Sequence, residues 1–163
     1  MQPVIFVLNS ADLNLLDGQT RKYYGLGSLG DLKRLCEAKA RSMDFMIDFR
    51  HSNHEGDIVG ACHEARTKAA GIVINPAMLS FTSPSLVEAL RAFSGPKIEV
   101  HIDNLHARAS IYRNSQVSQV VTAVVAGLGF DGYEYALDAV RWHLSGGLAD
   151  ADPHWGEGSE HAG

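Results

Sequence analysis

The strongest constraint on the fold is a regular alternation of short apolar runs with segments of helical periodicity. The runs are rich in β-branched residues and only a few residues long, which indicates buried strands. They cover residues 3–8, 44–50, 71–74, 97–102 and 120–125. Apolar residues at helical spacing occupy the intervals at about 28–42, 55–69, 83–93 and 133–144. Ser28, and Ser83 followed by Pro84, are typical helix starts.

This alternation predicts how the strands pair. Strands separated by helices run parallel and are joined by right-handed crossovers. The sequence therefore predicts an α/β fold, a flavodoxin-like three-layer sandwich with a five-stranded parallel sheet. A chain of 163 residues, 45% hydrophobic and 20% charged, fits one domain. We expect that domain to span residues 1–144 and residues 145–163, which show no periodicity, to form a flexible tail.

Charge and cysteine content exclude several classes of function. A formal net charge of -5 without a dense cluster of Lys or Arg argues against a nucleic-acid partner. No apolar run is long enough to span a membrane, and Met1 leads directly into the first strand, so we expect a cytoplasmic protein. Cys36 and Cys62 fall in predicted helices without a metal-ligand pattern, so both are expected to be reduced structural thiols.

Polar residues gather where the predicted strands end. Because parallel strands share one carboxyl edge, these side chains should converge there. They are Asn9, Asp12, Asn14, Ser52, Asn53, Glu55, Asn75, His101 and Asp103. For His101 by itself, a hydrogen-bonded histidine without a chemical role is an equally good interpretation. His143, His154 and His161 match no compact ligand set and are interpreted as solvated.

Six segments resemble a known family. VLNSADLNLL, YYG at 23–25, FRHSNHEG at 49–56, GIVINP at 71–76, EVHIDNLHAR at 99–108 and GYEYAL at 132–137 are similar, in order, to the motifs of type II 3-dehydroquinate dehydratase. The resemblance extends from about residue 4 to residue 142. It implies elimination of water from a cyclic β-hydroxy ketone without metal or organic cofactor, in a dodecamer built from trimers.

The resemblance also implies catalytic roles. The tyrosine of the Y-G motif, here Tyr24, would be the base that forms an enolate, and the histidine of E-V-H, here His101, would protonate the departing hydroxyl. Asn75 would lie beside that hydroxyl, and Glu99 would orient the imidazole. A phenol is mostly protonated at neutral pH, so a cation near Tyr24, such as Arg108, would be needed to lower its pKa.

The first loop departs from the family pattern. Ser10, Ala11 and Asp12 replace G-P-N, and Gln19-Thr20-Arg21 stands where R-E-P is expected. The usual arginine is therefore missing from its place, although Arg21 lies two residues further along. If nothing replaces that charge, the pKa of the Tyr24 phenol would be one to two units higher, and the amount of phenolate would be about 10- to 100-fold lower. Asp12 would disfavour both the phenolate and the enolate.

The substrate-binding positions implied by the resemblance also differ. The family's G-A-Y-T-H-T-S is here Ala77 to Ser83, which places Phe81 where a histidine binds substrate. Asp103 replaces a serine near the substrate carboxylate and would repel that carboxylate unless Asp103 is protonated or turned away. Tyr112 replaces an arginine, with Arg113 next to it, and Glu88 replaces a shorter aspartate. The complete set of implied substrate-binding positions is Asp12, Arg21, Phe81, Glu88, Ile102, Asp103, Tyr112 and Arg113.

These departures leave three functions open. The first is a lyase acting on 3-dehydroquinate or a related ring, including a divergent paralogue that keeps Tyr24 and His101 and accepts a less anionic substrate. The second is a non-catalytic binding or assembly protein on the same scaffold. The third, a flavin-binding flavodoxin, is disfavoured because the loop after the first strand lacks a Ser/Thr/Gly-rich phosphate cradle.

Overall fold

The computed structural model describes residues 1–10, 27–107 and 114–147. Within them, five parallel strands form one sheet of order β2-β1-β3-β4-β5. The strands are β1 (Val4–Asn9), β2 (Met46–His51), β3 (Gly71–Asn75), β4 (Lys97–His101) and β5 (Ala123–Ala126). The helices are α1 (Leu29–Arg41), α2 (Glu55–Lys68), α3 (Leu79–Thr82), α4 (Pro84–Arg91) and α5 (Asp131–Leu144). The predicted α/β sandwich with a five-stranded parallel sheet is confirmed.

Alternation along the central strands divides the core into two layers. Ile5, Val7, Val73, Ile98 and Val100 pack with α1 and α5 on one face. Their neighbours Phe6, Leu8, Ile72 and Ile74 pack with α2 and α4 on the other. Successive side chains of a strand point to opposite faces, so strands that are apolar at every position are buried on both sides.

The cysteines lie one in each layer. Cys36 on α1 and Cys62 on α2 are fully buried free thiols in the separate clusters on the two faces of the sheet. Both therefore act as small core residues, as the sequence predicted.

Helix starts follow the expected chemistry. Ser28 caps α1 through a capping box in which its hydroxyl accepts from the Asp31 backbone N–H while the Asp31 carboxylate accepts from the Ser28 N–H. Ser83 caps α4 by accepting from the Leu86 N–H, with Pro84 in the first turn. Both predicted starts are confirmed.

One local prediction needs correction, and one short helix has no counterpart among the predicted elements. The β-branched run predicted as a strand over 120–125 pairs only from Ala123, because Val117 is buried and Val120 and Val121 pack in the layer with α2 and α4. Val117–Gln119, just before that run, is a turn of 3-10 helix. The short helix α3 was not predicted. It follows Ala77, whose φ of 46° is in the left-handed region.

Among the described helices, none has both the length and the apolar character required to cross a bilayer.

Candidate active site at the carboxyl edge of the sheet

Buried polar side chains concentrate in the last residues of β1, β3 and β4 and in the segments around them. Because these strands are parallel, their carboxyl ends lie along the same edge of the sheet. The buried polar residues within the described ranges are Asn9, Ser10, Asn75, Ser80, Ser83, Glu99, His101 and Ser115. Burying so many polar groups costs free energy unless each is hydrogen-bonded. The hydrogen bonds made by these buried side chains therefore show how the candidate site is organised.

The central pair is Glu99 and His101 on β4. Residues two apart on a strand face the same side, and both face away from the layer that Ile98 and Val100 help to form. The His101 Nε2 lies 2.6 Å from the Glu99 Oε1, with the side chains 3% and 0% exposed. The predicted contact between Glu99 and the imidazole is present.

Three serines surround the Glu99 carboxylate. The Ser115 hydroxyl donates to Oε1 at 3.0 Å, the Ser118 hydroxyl donates to Oε2 at 2.5 Å, and the Ser80 hydroxyl lies 3.4 Å from Oε1. Burial raises the pKa of the Glu99 carboxyl, but bonds from His101, Ser118 and Ser115 and the charge of His101 outweigh it and hold that pKa below its ordinary value. We call these five residues the Glu99 cluster.

The ionised carboxylate fixes which ring nitrogen of His101 carries a hydrogen. A carboxylate only accepts hydrogen bonds, so the His101 Nε2 must carry a hydrogen. The bond to Glu99 leaves the other ring nitrogen, Nδ1, as the candidate for contact with a substrate. A histidine oriented in this way has the geometry of a general acid that acts through Nδ1.

Asn75 is held by a second set of bonds, which we call the Tyr133 bridge. Its Nδ2 donates to the Tyr133 hydroxyl at 3.0 Å, and that hydroxyl donates to the Asn9 Oδ1 at 2.8 Å. The Asn75 backbone carbonyl accepts from both the N–H and the hydroxyl of Ser10. The ends of β1 and β3 are thus joined by a phenol from α5.

The other predicted site residues have different surroundings. Ile102 follows β4 and packs against the layer formed with α1 and α5, and Asp103 next to it is half-buried. Phe81 is half-buried on α3. Glu88 is exposed on α4, where it pairs with Arg91 at 3.5 Å, so it is not part of the Glu99 cluster. Predictions for Tyr24, Arg108, Asp12, Arg21, Tyr112 and Arg113 lie outside the described residues.

Sequence reasoning missed Ser80, Ser115, Ser118 and Tyr133. The serines come from α3 and from the segment around Val117–Gln119, and their spacing carries no periodic signal. Tyr133 belongs to the GYEYAL motif of the last helix, and nothing in that motif indicates that its hydroxyl contacts the ends of two strands. No cluster of three or more metal-ligating side chains occurs in the described part of the chain.

Comparison with known proteins identifies the family to which this chain belongs. Residues 3–141 match the family model described as dehydroquinase class II. The chain belongs to that family. It is 44% identical over 147 residues to a 3-dehydroquinate dehydratase of Cereibacter sphaeroides, covering 90% of this chain and 100% of the relative. It is 43% identical over 148 residues to a 3-dehydroquinate dehydratase of Streptomyces avermitilis, covering 90% and 93%.

A solved structure agrees with this class II dehydroquinase assignment. The type II dehydroquinase from Propionibacterium acnes superposes with a TM-score of 0.81 at 34% identity, covering 86% of this chain and 97% of that one. The resemblance found in the motifs is therefore confirmed at the level of family and fold.

Proposed function

We propose that this class II dehydroquinase is a hydro-lyase that eliminates water from 3-dehydroquinate or a closely related cyclic β-hydroxy ketone. The observation that carries the proposal is the buried Glu99–His101 pair at the carboxyl edge of the sheet, with Nε2 and Oε1 2.6 Å apart. Relatives more than 40% identical over most of the chain are named for this reaction. The family assignment and the proton-donating geometry thus support the same chemistry.

The proposed reaction passes through an enolate. Tyr24, as phenolate, removes the proton next to the ketone, and the electron pair of that C–H bond moves to the carbonyl oxygen. As the enolate collapses, the C–O bond to the β-hydroxyl breaks and Nδ1 of His101 protonates the leaving oxygen, releasing water and a conjugated enone. Transfer of a proton from the Tyr24 phenol to the imidazole, directly or through solvent, restores both groups.

The Glu99 cluster supports this step by supplying a fixed negative charge. The carboxylate stabilises the imidazolium before proton transfer and keeps the hydrogen on Nε2 after it. In the same proposal Asn75 binds the departing hydroxyl and Arg108 lowers the pKa of Tyr24. Substrate contacts are assigned to Asp12, Arg21, Phe81, Glu88, Ile102, Asp103, Tyr112 and Arg113, and the reaction uses no cofactor.

The test is an ultraviolet assay with 3-dehydroquinate, because the conjugated enone absorbs and the substrate does not. We expect turnover by the wild-type protein and its loss in Tyr24→Phe and His101→Ala. The matched controls are Tyr23→Phe, the adjacent tyrosine, and His63→Ala, an exposed histidine on α2. Both controls should retain turnover.

Either of two results contradicts the proposal. One is unchanged turnover in both Tyr24→Phe and His101→Ala. The other is a folded wild-type protein whose melting temperature rises with 3-dehydroquinate while no product forms, which would indicate a binding protein on this scaffold. The altered positions Phe81 and Asp103 make this second measurement necessary.

The proposed assembly is a homo-oligomer, a dodecamer built from trimers. Sedimentation equilibrium should then give a mass near twelve times that of the 17.7 kDa chain. A monomer mass at assay concentration would contradict this part of the proposal.

A further inference from the structure

The buried phenol of Tyr133 occupies an unusual position for a helix residue in the core. It lies in the first turn of α5, is 0% exposed, and packs among apolar residues of α1 and the sheet. Its hydroxyl nevertheless reaches the carboxyl ends of two neighbouring strands, where it contacts Asn9 and Asn75. A phenylalanine would fill the same space, so the hydroxyl itself requires an explanation.

The direction of every bond in the Tyr133 bridge is fixed by two backbone groups. At one end the Arg50 carbonyl can only accept, so Asn9 must present its Nδ2 there, at 3.1 Å, and its Oδ1 to Tyr133. At the other end the Ala77 N–H can only donate, so Asn75 must present its Oδ1 there, at 3.2 Å, and its Nδ2 to Tyr133.

The Arg50 carbonyl and the Ala77 N–H together determine how the Tyr133 hydroxyl is hydrogen-bonded. Tyr133 must donate its O–H to Asn9 and accept from Asn75, and one hydroxyl does both. Burial raises the pKa of Tyr133 far above its ordinary value, although the Asn75 bond opposes the rise, so the phenol keeps the hydrogen that it donates. Rotating the Asn75 carboxamide by 180° would place donor against donor at Ala77.

The Asn75 amide nitrogen has two hydrogens, and the Tyr133 bridge uses one of them, in the bond to the Tyr133 hydroxyl. The second points away from Tyr133 because the two N–H bonds of an amide diverge in one plane. Asn75 sits 3% exposed at the end of β3, beside β4, which ends at His101. The carboxamide can therefore offer one N–H of fixed direction at the edge of the sheet where His101 lies.

We propose that Tyr133 is a positioning residue that fixes the Asn75 carboxamide so that its second N–H is presented to the oxygen leaving the substrate. This inference rests on the proposed function. Without the hydroxyl, the Asn75 Nδ2 loses its acceptor and the amide can rotate, so the donor is misplaced. Misplacement of a group that contacts the reacting atoms slows the chemical step by up to about 100-fold.

The experiment compares Tyr133→Phe with Tyr135→Phe, the same change two residues further along α5 at a side chain that is 58% exposed. With 3-dehydroquinate, we expect Tyr133→Phe to lower kcat by about 10- to 100-fold while KM changes less than about threefold. Tyr135→Phe should match the wild type. Equal kcat for Tyr133→Phe and wild type would overturn the inference.

A double-mutant cycle separates positioning from a general structural effect. If Tyr133 acts through Asn75, Tyr133→Phe should cause no further loss of kcat in an Asn75→Ala background. Multiplicative losses in the double variant would overturn the inference. Asn9→Ala, which removes the acceptor of the phenol, provides a second route if Tyr133→Phe does not fold, and it should also lower kcat; wild-type kcat in folded Asn9→Ala would overturn the inference.

The outcomes distinguish this inference from the proposed function. Turnover by the wild type with undiminished kcat in Tyr133→Phe overturns the inference and leaves the proposed function standing. No turnover by the folded wild-type protein overturns both.

Discussion

Replacing Ala77 with glycine should stabilise this protein. Ala77 has a φ of 46°, which places its Cβ against the neighbouring carbonyl oxygen, a conformation that glycine adopts without strain. The other described non-glycine residue with positive φ is Asp44, of a type that tolerates this region through local hydrogen bonding. The methyl side chain of Ala77 can form no such bond. It also lies where the family pattern quoted above has glycine.

The magnitude follows from two opposing terms. The left-handed conformation costs an L-residue about 1–2 kcal/mol, which glycine recovers. Glycine in turn loses about 0.5–1 kcal/mol because the unfolded chain has more conformations to lose. The midpoints of these two ranges leave a net gain in free energy of unfolding of about 0.75 kcal/mol, equivalent to about 1.5–3 °C in melting temperature for a chain of this size.

The assay is denaturant unfolding of Ala77→Gly and wild type at one fixed protein concentration, because oligomers unfold in a concentration-dependent way. The matched control is Ala38→Gly, the same substitution at an exposed site within α1, which should destabilise by about 1 kcal/mol. Opposite signs for one chemical change are the expected result. A midpoint for Ala77→Gly at or below that of wild type, with an unchanged slope, would refute the reasoning.

Three further predictions concern the Glu99 cluster and the packing of β3. Ser118→Ala should lower the free energy of unfolding by about 1.5–3 kcal/mol, measured in denaturant at neutral pH, because it removes a hydroxyl bond to a buried carboxylate; a change under 0.5 kcal/mol would argue against it. The lowered pKa of Glu99 adds stability above pH 4.5 that is lost as the pH falls through the folded-state pKa, so unfolding curves from pH 6 to pH 3 should show a smaller fall for Glu99→Gln than for wild type. Parallel falls would contradict this. Glu99→Gln should also lower kcat because it removes the negative charge beside His101. Gly71→Ala should cost about 1–3 kcal/mol in thermal unfolding, because its Cβ would lie 2.5 Å from the Val140 Cγ1 in the core, and a neutral effect would show that α5 shifts freely.

The strands and helices were predictable wherever local chemistry and burial agree. Ser28 and Ser83 mark helix starts that the structure confirms, and the apolar runs of β1 and β3 are buried on both faces. The start of β5 was not predictable. An apolar β-branched run does not reveal which layer will cover it, and Val120 packs beside α2 and α4 rather than extending the strand.

The candidate site likewise contains contacts that could be predicted from the sequence and contacts that could not. The contact between Glu99 and His101 was expected from the family resemblance, and the two-residue repeat of a strand explains it because both side chains lie on one face of β4. The Tyr133 bridge was not, because it joins residues up to 124 positions apart in sequence, and such a contact has no local signal. The serines of the Glu99 cluster were missed for the same reason.

Because Cys36 and Cys62 lie in different layers, the opening of the two faces of the sheet can be measured separately. Burial raises the pKa of each thiol to about 12, with Glu134 and Glu37 adding to the effect at Cys36, so neither reacts with a thiol reagent while its layer is closed. Labelling rates therefore report how often each layer opens. Equal rates at Cys36 and Cys62 would mean that both layers open as one cooperative unit, and a faster rate at either cysteine would identify the face that opens first.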